Sequence, residues 1–143
     1  MISCGILFIR NGQILIGHAT GQQHWDIPKG KMEAGEGFMD TAIRETKEEI
    51  GFNVDPTDIE FLAEVPYRKG KRLALFLYTG LKFPKAEECI CTSTYTSRNG
   101  QEKPELDAFM YVPYAELSKY VTARMLQSIL TVIENTRHES ENI

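Results

Sequence analysis

Hydrophobic and polar positions alternate along much of the chain in short runs that predict β-strands. These runs are four to twelve residues long and are bounded by Gly, Pro, Asn or Asp, as strands usually are. The predicted strands span residues 4–10, 13–18, 25–28, 59–67, 72–83, 88–95 and 106–112. Asn11-Gly12 and Lys69-Gly70 predict tight hairpin turns between neighbouring runs.

A different spacing predicts the first helix. Apolar residues recur at three- and four-residue steps from Phe38 to Ile50, which is the pattern of one buried helix face. Gly37 precedes this segment and Gly51 follows it, so the helix is expected over roughly 38–50.

The C-terminal region predicts two further helices. Pro113 suits the first turn of a short helix that ends near residue 119. Thr122 can cap a last helix with an apolar stripe formed by Leu126, Ile129, Leu130 and Ile133. The tail after about residue 137 is expected to be disordered.

Composition narrows the class of protein. A chain of 143 residues with 42% apolar content predicts a single compact α/β domain over 1–143, with a sheet covered on both faces. The net charge of −4 excludes a global basic field for nucleic acid. The chain shows neither an apolar run of membrane-spanning length nor a signal-peptide pattern. Its three cysteines predict reduced thiols, hence a cytoplasmic protein.

Three carboxylates stand out on the first predicted helix. Glu45, Glu48 and Glu49 occupy positions i, i+3 and i+4, and are expected on one side of the helix, away from its apolar face. Like charges at this spacing repel by about 0.2–0.5 kcal/mol per pair. A divalent cation would turn that repulsion into a binding site, and hard oxygen ligands suit magnesium or manganese better than zinc. Arg44 is placed to brace the carboxylates, and Glu36 lies in the turn before the helix.

These residues belong to a longer motif. Residues 30–52 fit the pattern G-x5-E-x7-R-E-U-x-E-E-x-G-U, where U is a bulky apolar residue, at every position but one. In this motif the chain resembles the Nudix hydrolases. The departure is Thr46, where the family has a larger aliphatic residue. Its methyl group can pack on the buried face, and its hydroxyl can bond back to the carbonyl of Ala42.

The resemblance implies a fold and a chemistry. The fold would be an α/β/α sandwich around a mixed β-sheet. The activity would be hydrolysis of a nucleoside diphosphate linked to another group, with Mg²⁺ as cofactor and Mn²⁺ able to replace it. The implied metal ligands are the carbonyl of Gly30 and the carboxylates of Glu45, Glu48 and Glu49. Glu36 and Arg44 would then fix the orientation of these ligands.

The resemblance also implies a carboxylate from outside the motif. Many members place a glutamate shortly before a strand that ends in an aromatic-Val-Pro turn, as a further metal ligand or as the base. That turn is residues 111–113 here, so the matching residue is Glu105, with Glu102 as the alternative. The identity of the general base among the carboxylates is left open, because it depends on geometry.

The segment before the motif bears on the substrate. Residues 25–30 read W-D-I-P-K-G, a form similar to members that act on dinucleoside polyphosphates or diphosphoinositol polyphosphates. Lys29 and Lys31 would offer ammonium groups to a long phosphate chain, or would be ordinary surface lysines. Trp25 would stack on a base, or would pack in the protein.

One dense basic cluster lies at residues 68–72, on a predicted hairpin turn. It is interpreted either as a solvated turn or as a contact for additional phosphates or an RNA 5′ end, beginning with Arg68. Tyr67, which adjoins this turn, is a candidate for stacking on a base. The leading hypothesis is a hydrolase of dinucleoside polyphosphates such as diadenosine tetraphosphate. The alternatives are RNA 5′-end pyrophosphate removal or decapping, a nucleoside triphosphate pyrophosphatase, and a non-catalytic nucleotide sensor. The oligomeric state is left open.

Overall fold

A computed structural model describes the backbone of residues 1–141 and the side chains of residues 1–134. The strands, in chain order, are β1 (Ile2–Leu7), β2 (Ile9–Arg10), β3 (Gln13–Ala19), β4 (Trp25–Asp26), β5 (Lys29–Lys31), β6 (Ile59–Arg68), β7 (Lys71–Tyr78), β8 (Thr94–Thr96), β9 (Glu102–Pro104) and β10 (Leu106–Pro113). The α-helices are α1 (Phe38–Ile50) and α2 (Ala123–Glu141), and short 3-10 turns lie at Pro56–Asp58, Ala86–Glu88 and Tyr114–Lys119.

The central sheet is mixed and has the order β5-β1-β7-β6. β1 and β7 run parallel, whereas β5 and β6 are antiparallel to their neighbours. A second sheet has the order β10-β3-β2, with β4 paired to β3, and β8 and β9 form a separate hairpin. The pairing of β5 with β1 places Gly30 opposite Cys4, next to α1.

Apolar clusters lie on the two faces of the central sheet. Alternate residues of β7 divide between them: Leu73 and Leu75 pack with α2, while Ala74 and Phe76 pack with α1. The sheet is therefore covered on both faces, and the expected α/β/α arrangement around a mixed sheet is confirmed. No helix within the described residues is long and apolar enough to cross a bilayer.

Four predicted strands have different ends in the structure. The run 25–28 is a strand only at Trp25–Asp26. The run 4–10 is broken at Phe8, where the chain passes from the central sheet to the second sheet. The run 72–83 ends at Tyr78, because the Tyr78 hydroxyl donates to the Lys82 carbonyl at 2.6 Å and closes a turn there. Within 88–95 only Thr94 and the residue after it belong to a strand.

The segment before β8 binds the C-terminal end of α1 instead of a sheet. The amides of Thr92 and Ser93 donate to the Glu48 carbonyl at 2.7 and 3.2 Å, and the Ile90 amide donates to the Ile50 carbonyl at 3.1 Å. These bonds satisfy carbonyls that a helix end leaves without intrahelical partners.

The buried face of α2 differs from the predicted stripe. Thr122 caps the helix as expected, since its hydroxyl accepts from the Met125 amide at 3.2 Å. Among the side chains of α2 that the structure describes, up to residue 134, Met125, Ser128, Ile129 and Val132 are buried, whereas Leu126, Leu130 and Ile133 are only partly buried. Ser128 turns inward because its hydroxyl donates to the Pro66 carbonyl of β6 at 3.2 Å. Residues 142–143 lie outside the described residues, and the expected disorder after about 137 stays a prediction.

Thr46 is buried in α1, but the expected hydrogen bond to the Ala42 carbonyl is absent. Its side chain is fully buried, and among the described residues its hydroxyl has no hydrogen-bond partner. We expect Thr46→Val to raise the free energy of unfolding by about 1 kcal/mol, because it removes an unsatisfied hydroxyl at nearly constant volume. The melting temperature should rise by about 2–4 °C.

Thr41→Val is the matched control, because the buried Thr41 hydroxyl donates to Glu36 at 3.0 Å and to the Gly37 carbonyl at 3.2 Å. Its loss should destabilise the protein. A Thr46→Val variant that melts lower than wild type would contradict the absence of a partner.

Candidate active site

The first element of the site is the contact between β5 and the middle of α1. A Cβ atom added at Gly30 would overlap the carboxylate of Glu45, so this carboxylate lies directly against the Gly30 backbone. Only a glycine leaves room for that approach. The structure thus brings together two of the four residues that the motif predicts as metal ligands.

Arg44 organises the carboxylates around it. Its guanidinium donates to both oxygens of Glu36 at 2.8 and 3.0 Å, to Glu45 at 2.8 Å and to Glu48 at 3.2 Å. It also donates to the Lys31 carbonyl at 3.0 Å, which ties α1 to β5. Hydrogen bonds from Arg44, together with one from the Glu33 amide, lower the pKa of Glu36 to about 2. Glu36 therefore stays ionised and holds Arg44 in place, as the motif predicts.

Glu49 has a different environment from its two neighbours in sequence. It is only 6% exposed and accepts the Lys29 backbone N–H at 2.8 Å. Burial raises its pKa well above the ordinary value, and the nearby Glu105 carboxyl raises it further. Burial also raises the pKa of Glu45, against the opposing effect of Arg44 and with Glu48 and Glu105 adding to the rise. Glu105 therefore lies beside both Glu45 and Glu49.

These residues line one cavity of about 470 Å³. The lining includes the following residues that the sequence predicted for the site: Lys29, Gly30, Lys31, Glu45, Glu49, Tyr67, Arg68 and Glu105. Glu48 lies outside the lining, but its carboxylate bonds to the same Arg44 nitrogen as that of Glu45, at 3.2 and 2.8 Å, so the two carboxylates are neighbours on α1. Glu102 is also elsewhere, with its carboxylate accepting from the Thr94 hydroxyl at 2.7 Å.

Lys29 and Trp25, which the sequence predicts as substrate contacts, contact other side chains of the protein. Lys29 forms an ion pair with Asp26 at 2.9 Å, and its ammonium lies 5.6 Å from the centroid of the Tyr67 ring. Burial alone would lower the pKa of Lys29, but the negative charges of Asp26 and Glu49 hold it above its ordinary value. Trp25 is outside the cavity lining, and its indole packs edge-on against Tyr120 and His18.

The basic residues of the turn at 68–72 have different surroundings in the structure. Arg68 and Lys71 line the cavity of the carboxylates, whereas Lys69 does not and Arg72 is paired with Glu64 at 2.8 Å. The cavity also contains Asp26 and His24, which the sequence interpretation did not assign to the site. The sequence carries no local signal for either, because the i, i+3 rule holds on helices and this segment forms strands.

The donor chemistry fits a divalent cation. Glu45, Glu49, Glu105 and the adjacent Gly30 backbone offer only hard oxygen ligands, which magnesium and manganese prefer. Within the described residues, no three acidic, imidazole or thiol side chains stand close enough together to form a finished metal site.

Comparison with known proteins decides the family. The family model described as the NUDIX domain matches residues 1–131. The chain belongs to the Nudix family. The resemblance carried by residues 30–52 is confirmed, and with it the enzyme class, a Nudix pyrophosphohydrolase.

This Nudix protein is similar to several individual proteins. It is 34% identical over 140 residues to an uncharacterized 17.7 kDa protein of Enterobacteria phage T4, covering 90% of this chain and 92% of the relative. It is 27% identical over 126 residues to an RNA pyrophosphohydrolase of Marinomonas sp., covering 76% and 72% of the two chains. A C. elegans Ap4A hydrolase structure has the same fold, with a TM-score of 0.60 over 99% of both chains at 16% identity.

Proposed function

We propose that this Nudix enzyme is a magnesium-dependent hydrolase that cleaves a pyrophosphate bond in a dinucleoside polyphosphate such as diadenosine tetraphosphate. The observation that supports it best is the cavity in which the carboxylates of Glu45, Glu49 and Glu105 lie with Arg68 and Lys71, two cations that have no carboxylate partner among the described residues. A phosphate chain needs charge neutralisation at the scissile bond and cationic contacts along its length.

The carboxylates have distinct parts in this proposal. Glu45, Glu49, Glu105 and the carbonyl of Gly30 would hold Mg²⁺, with Glu48 joining them after release from Arg44. Bound magnesium supplies neutralisation of the phosphate charge and lowers the pKa of a water molecule. The Lys29 amide fixes the orientation of Glu49, and Arg44 fixes that of Glu45. Glu49 and Glu105 make no bond to Arg44, so they are the carboxylates best placed to accept the proton of the attacking water.

Cations around the carboxylates favour a long phosphate chain. Arg68 and Lys71 line the cavity and, within the described residues, neither has a carboxylate partner. Lys31 is exposed at the rim. Lys29 is ion-paired with Asp26, so we propose that it stabilises the site and does not contact a phosphate directly.

RNA with a 5′-polyphosphate is the second candidate substrate. The observation that favours it is the same placement of Arg68 and Lys71, supported by the similarity to an RNA pyrophosphohydrolase. A non-catalytic sensor has less support, because the carboxylates of the motif are all retained.

A substrate screen tests the proposal. Purified protein with Mg²⁺ should convert diadenosine tetraphosphate to nucleotide products resolved by chromatography, and chelation by EDTA should stop the reaction. Glu49→Gln protein, prepared in parallel, controls for contaminating hydrolases. Faster release of pyrophosphate or phosphate from triphosphorylated RNA would select the second candidate. Tight nucleotide binding without turnover under Mg²⁺ or Mn²⁺ would reject both and revive the sensor.

A further inference from the structure

A second cavity adjoins the active site and has no part in the proposed metal and phosphate contacts. It lies between the end of β6 and the first turns of α2, with a volume of about 540 Å³. This volume falls in the range of about 300–1,000 Å³ that small-molecule sites occupy. Tyr67 and Arg68 line both cavities, so the two are adjacent across these side chains.

The charge of this second cavity has one sign. Arg68 and Lys69 from β6 and its turn, and Arg124 from α2, contribute three cations. Among the described residues no carboxylate lines the cavity, and none forms an ion pair with these three side chains. The neighbouring Arg72, in contrast, is paired with Glu64. A concave surface of a single charge sign concentrates the field and attracts an anion.

Other groups in the lining suit a nucleoside. The Tyr67 ring forms the wall between the two cavities, with the Arg68 guanidinium 5.2 Å from its centroid. Gln127 donates one amide hydrogen to Thr131 at 3.2 Å. Among the described residues its amide oxygen and second N–H have no partner, so they can bond to a base edge. Val65 and Pro66 add apolar surface. Phosphate, base-edge and apolar contacts are thus present together.

We infer that this cavity binds the second nucleotide of the substrate, the one beyond the scissile pyrophosphate. The inference rests on the proposed function for the position of the reacting bond. The shared chemistry is a nucleoside with an anionic phosphate, supplied by the far end of a dinucleoside polyphosphate or by the second nucleotide of an RNA 5′ end. Mononucleotides such as ATP lack this group and gain nothing from the cavity.

Binding measurements test the inference without requiring turnover. The dissociation constants of ATP, diadenosine tetraphosphate and a 5′-triphosphorylated dinucleotide are measured by calorimetry in EDTA, which stops turnover, on protein with Glu49 intact. Arg124→Gln should reduce the preference for a two-nucleotide ligand over ATP by about tenfold, the loss of one charge-assisted phosphate contact. Lys69→Gln, on an exposed turn, should act in the same direction and serves if Arg124→Gln fails to fold.

Lys82→Gln is the charge-matched control, because Lys82 is exposed and lines a different cavity. If Arg124→Gln and Lys69→Gln change the preference no more than Lys82→Gln does, the inference is overturned, and turnover by the wild type still supports the proposed function. If the preference falls as expected but the wild type hydrolyses neither ligand, the proposed function fails while the subsite stands. The ligand that responds, diadenosine tetraphosphate or the dinucleotide, identifies the source of the second nucleotide.

Discussion

Replacing Glu49 by glutamine is expected to lower kcat by on the order of 10³-fold, because a neutral amide is a poor ligand for Mg²⁺ and a poor proton acceptor. The fold should persist, since the glutamine oxygen can still accept the Lys29 N–H that Glu49 accepts at 2.8 Å. Steady-state kinetics with a two-nucleotide substrate, together with thermal melts, measure both effects.

Without bound metal, the same substitution should not lower the stability of the folded state. Burial raises the pKa of Glu49, so its ionised form destabilises the folded state, increasingly as the pH rises above the ordinary value of 4.5. At neutral pH Glu49→Gln should therefore melt at or above the wild-type temperature without metal, and should lose most of the stabilisation that Mg²⁺ gives the wild type.

Glu60→Gln is the control, because Glu60 is exposed on β6 away from the cavity. It should keep wild-type turnover and the wild-type response to Mg²⁺. A near-normal kcat for Glu49→Gln would show that the ion is held by other groups and would remove the basis of the proposed site.

A methyl group at Gly30 is expected to be nearly as damaging. In Gly30→Ala the new Cβ would overlap the Glu45 carboxylate, so Glu45 must leave its place between Gly30 and Arg44. We expect turnover to fall by at least about 10²-fold, because misplaced catalytic groups cost rate even at displacements near 1 Å. Stability should change little, because the group that must move is the end of the flexible Glu45 side chain.

Gly37→Ala provides the comparison within the same motif. A Cβ at Gly37 would meet only the Asp40 carboxylate at 3.5 Å, an ordinary contact. Gly37 is the N-cap of α1, so alanine there should cost up to about 1 kcal/mol of stability. Its turnover should stay near that of the wild type. Equal losses of kcat in both variants would mean that the overlap with Glu45 is not the cause.

The sequence alone determined the local part of the site. The apolar spacing and the flanking glycines gave α1 its observed limits, Phe38–Ile50, with Gly51 in the left-handed conformation at φ 76°. The contacts of Arg44 with Glu36 and Glu48 also follow from the motif, since residues close in sequence on a helix and its preceding turn are neighbours in space. Short-range geometry fixes these relations whatever the rest of the chain does.

The tertiary structure decided which distant residues join them. Glu105 reaches Glu49 because the segment before β8 binds the end of α1, and the Glu105 amide in turn donates to the Ser93 carbonyl at 3.0 Å. Arg68 and Lys71 enter the cavity while Lys69 and Arg72 do not, although all four lie on one turn. Burial of Glu49 and the inward turn of Ser128 likewise depend on what packs opposite them. Pairing between segments far apart in the chain leaves little trace in the local spacing of residues. For that reason the limits of the carboxylate-bearing helix follow from the sequence, whereas the inclusion of Asp26, His24 and Lys71 in its cavity does not.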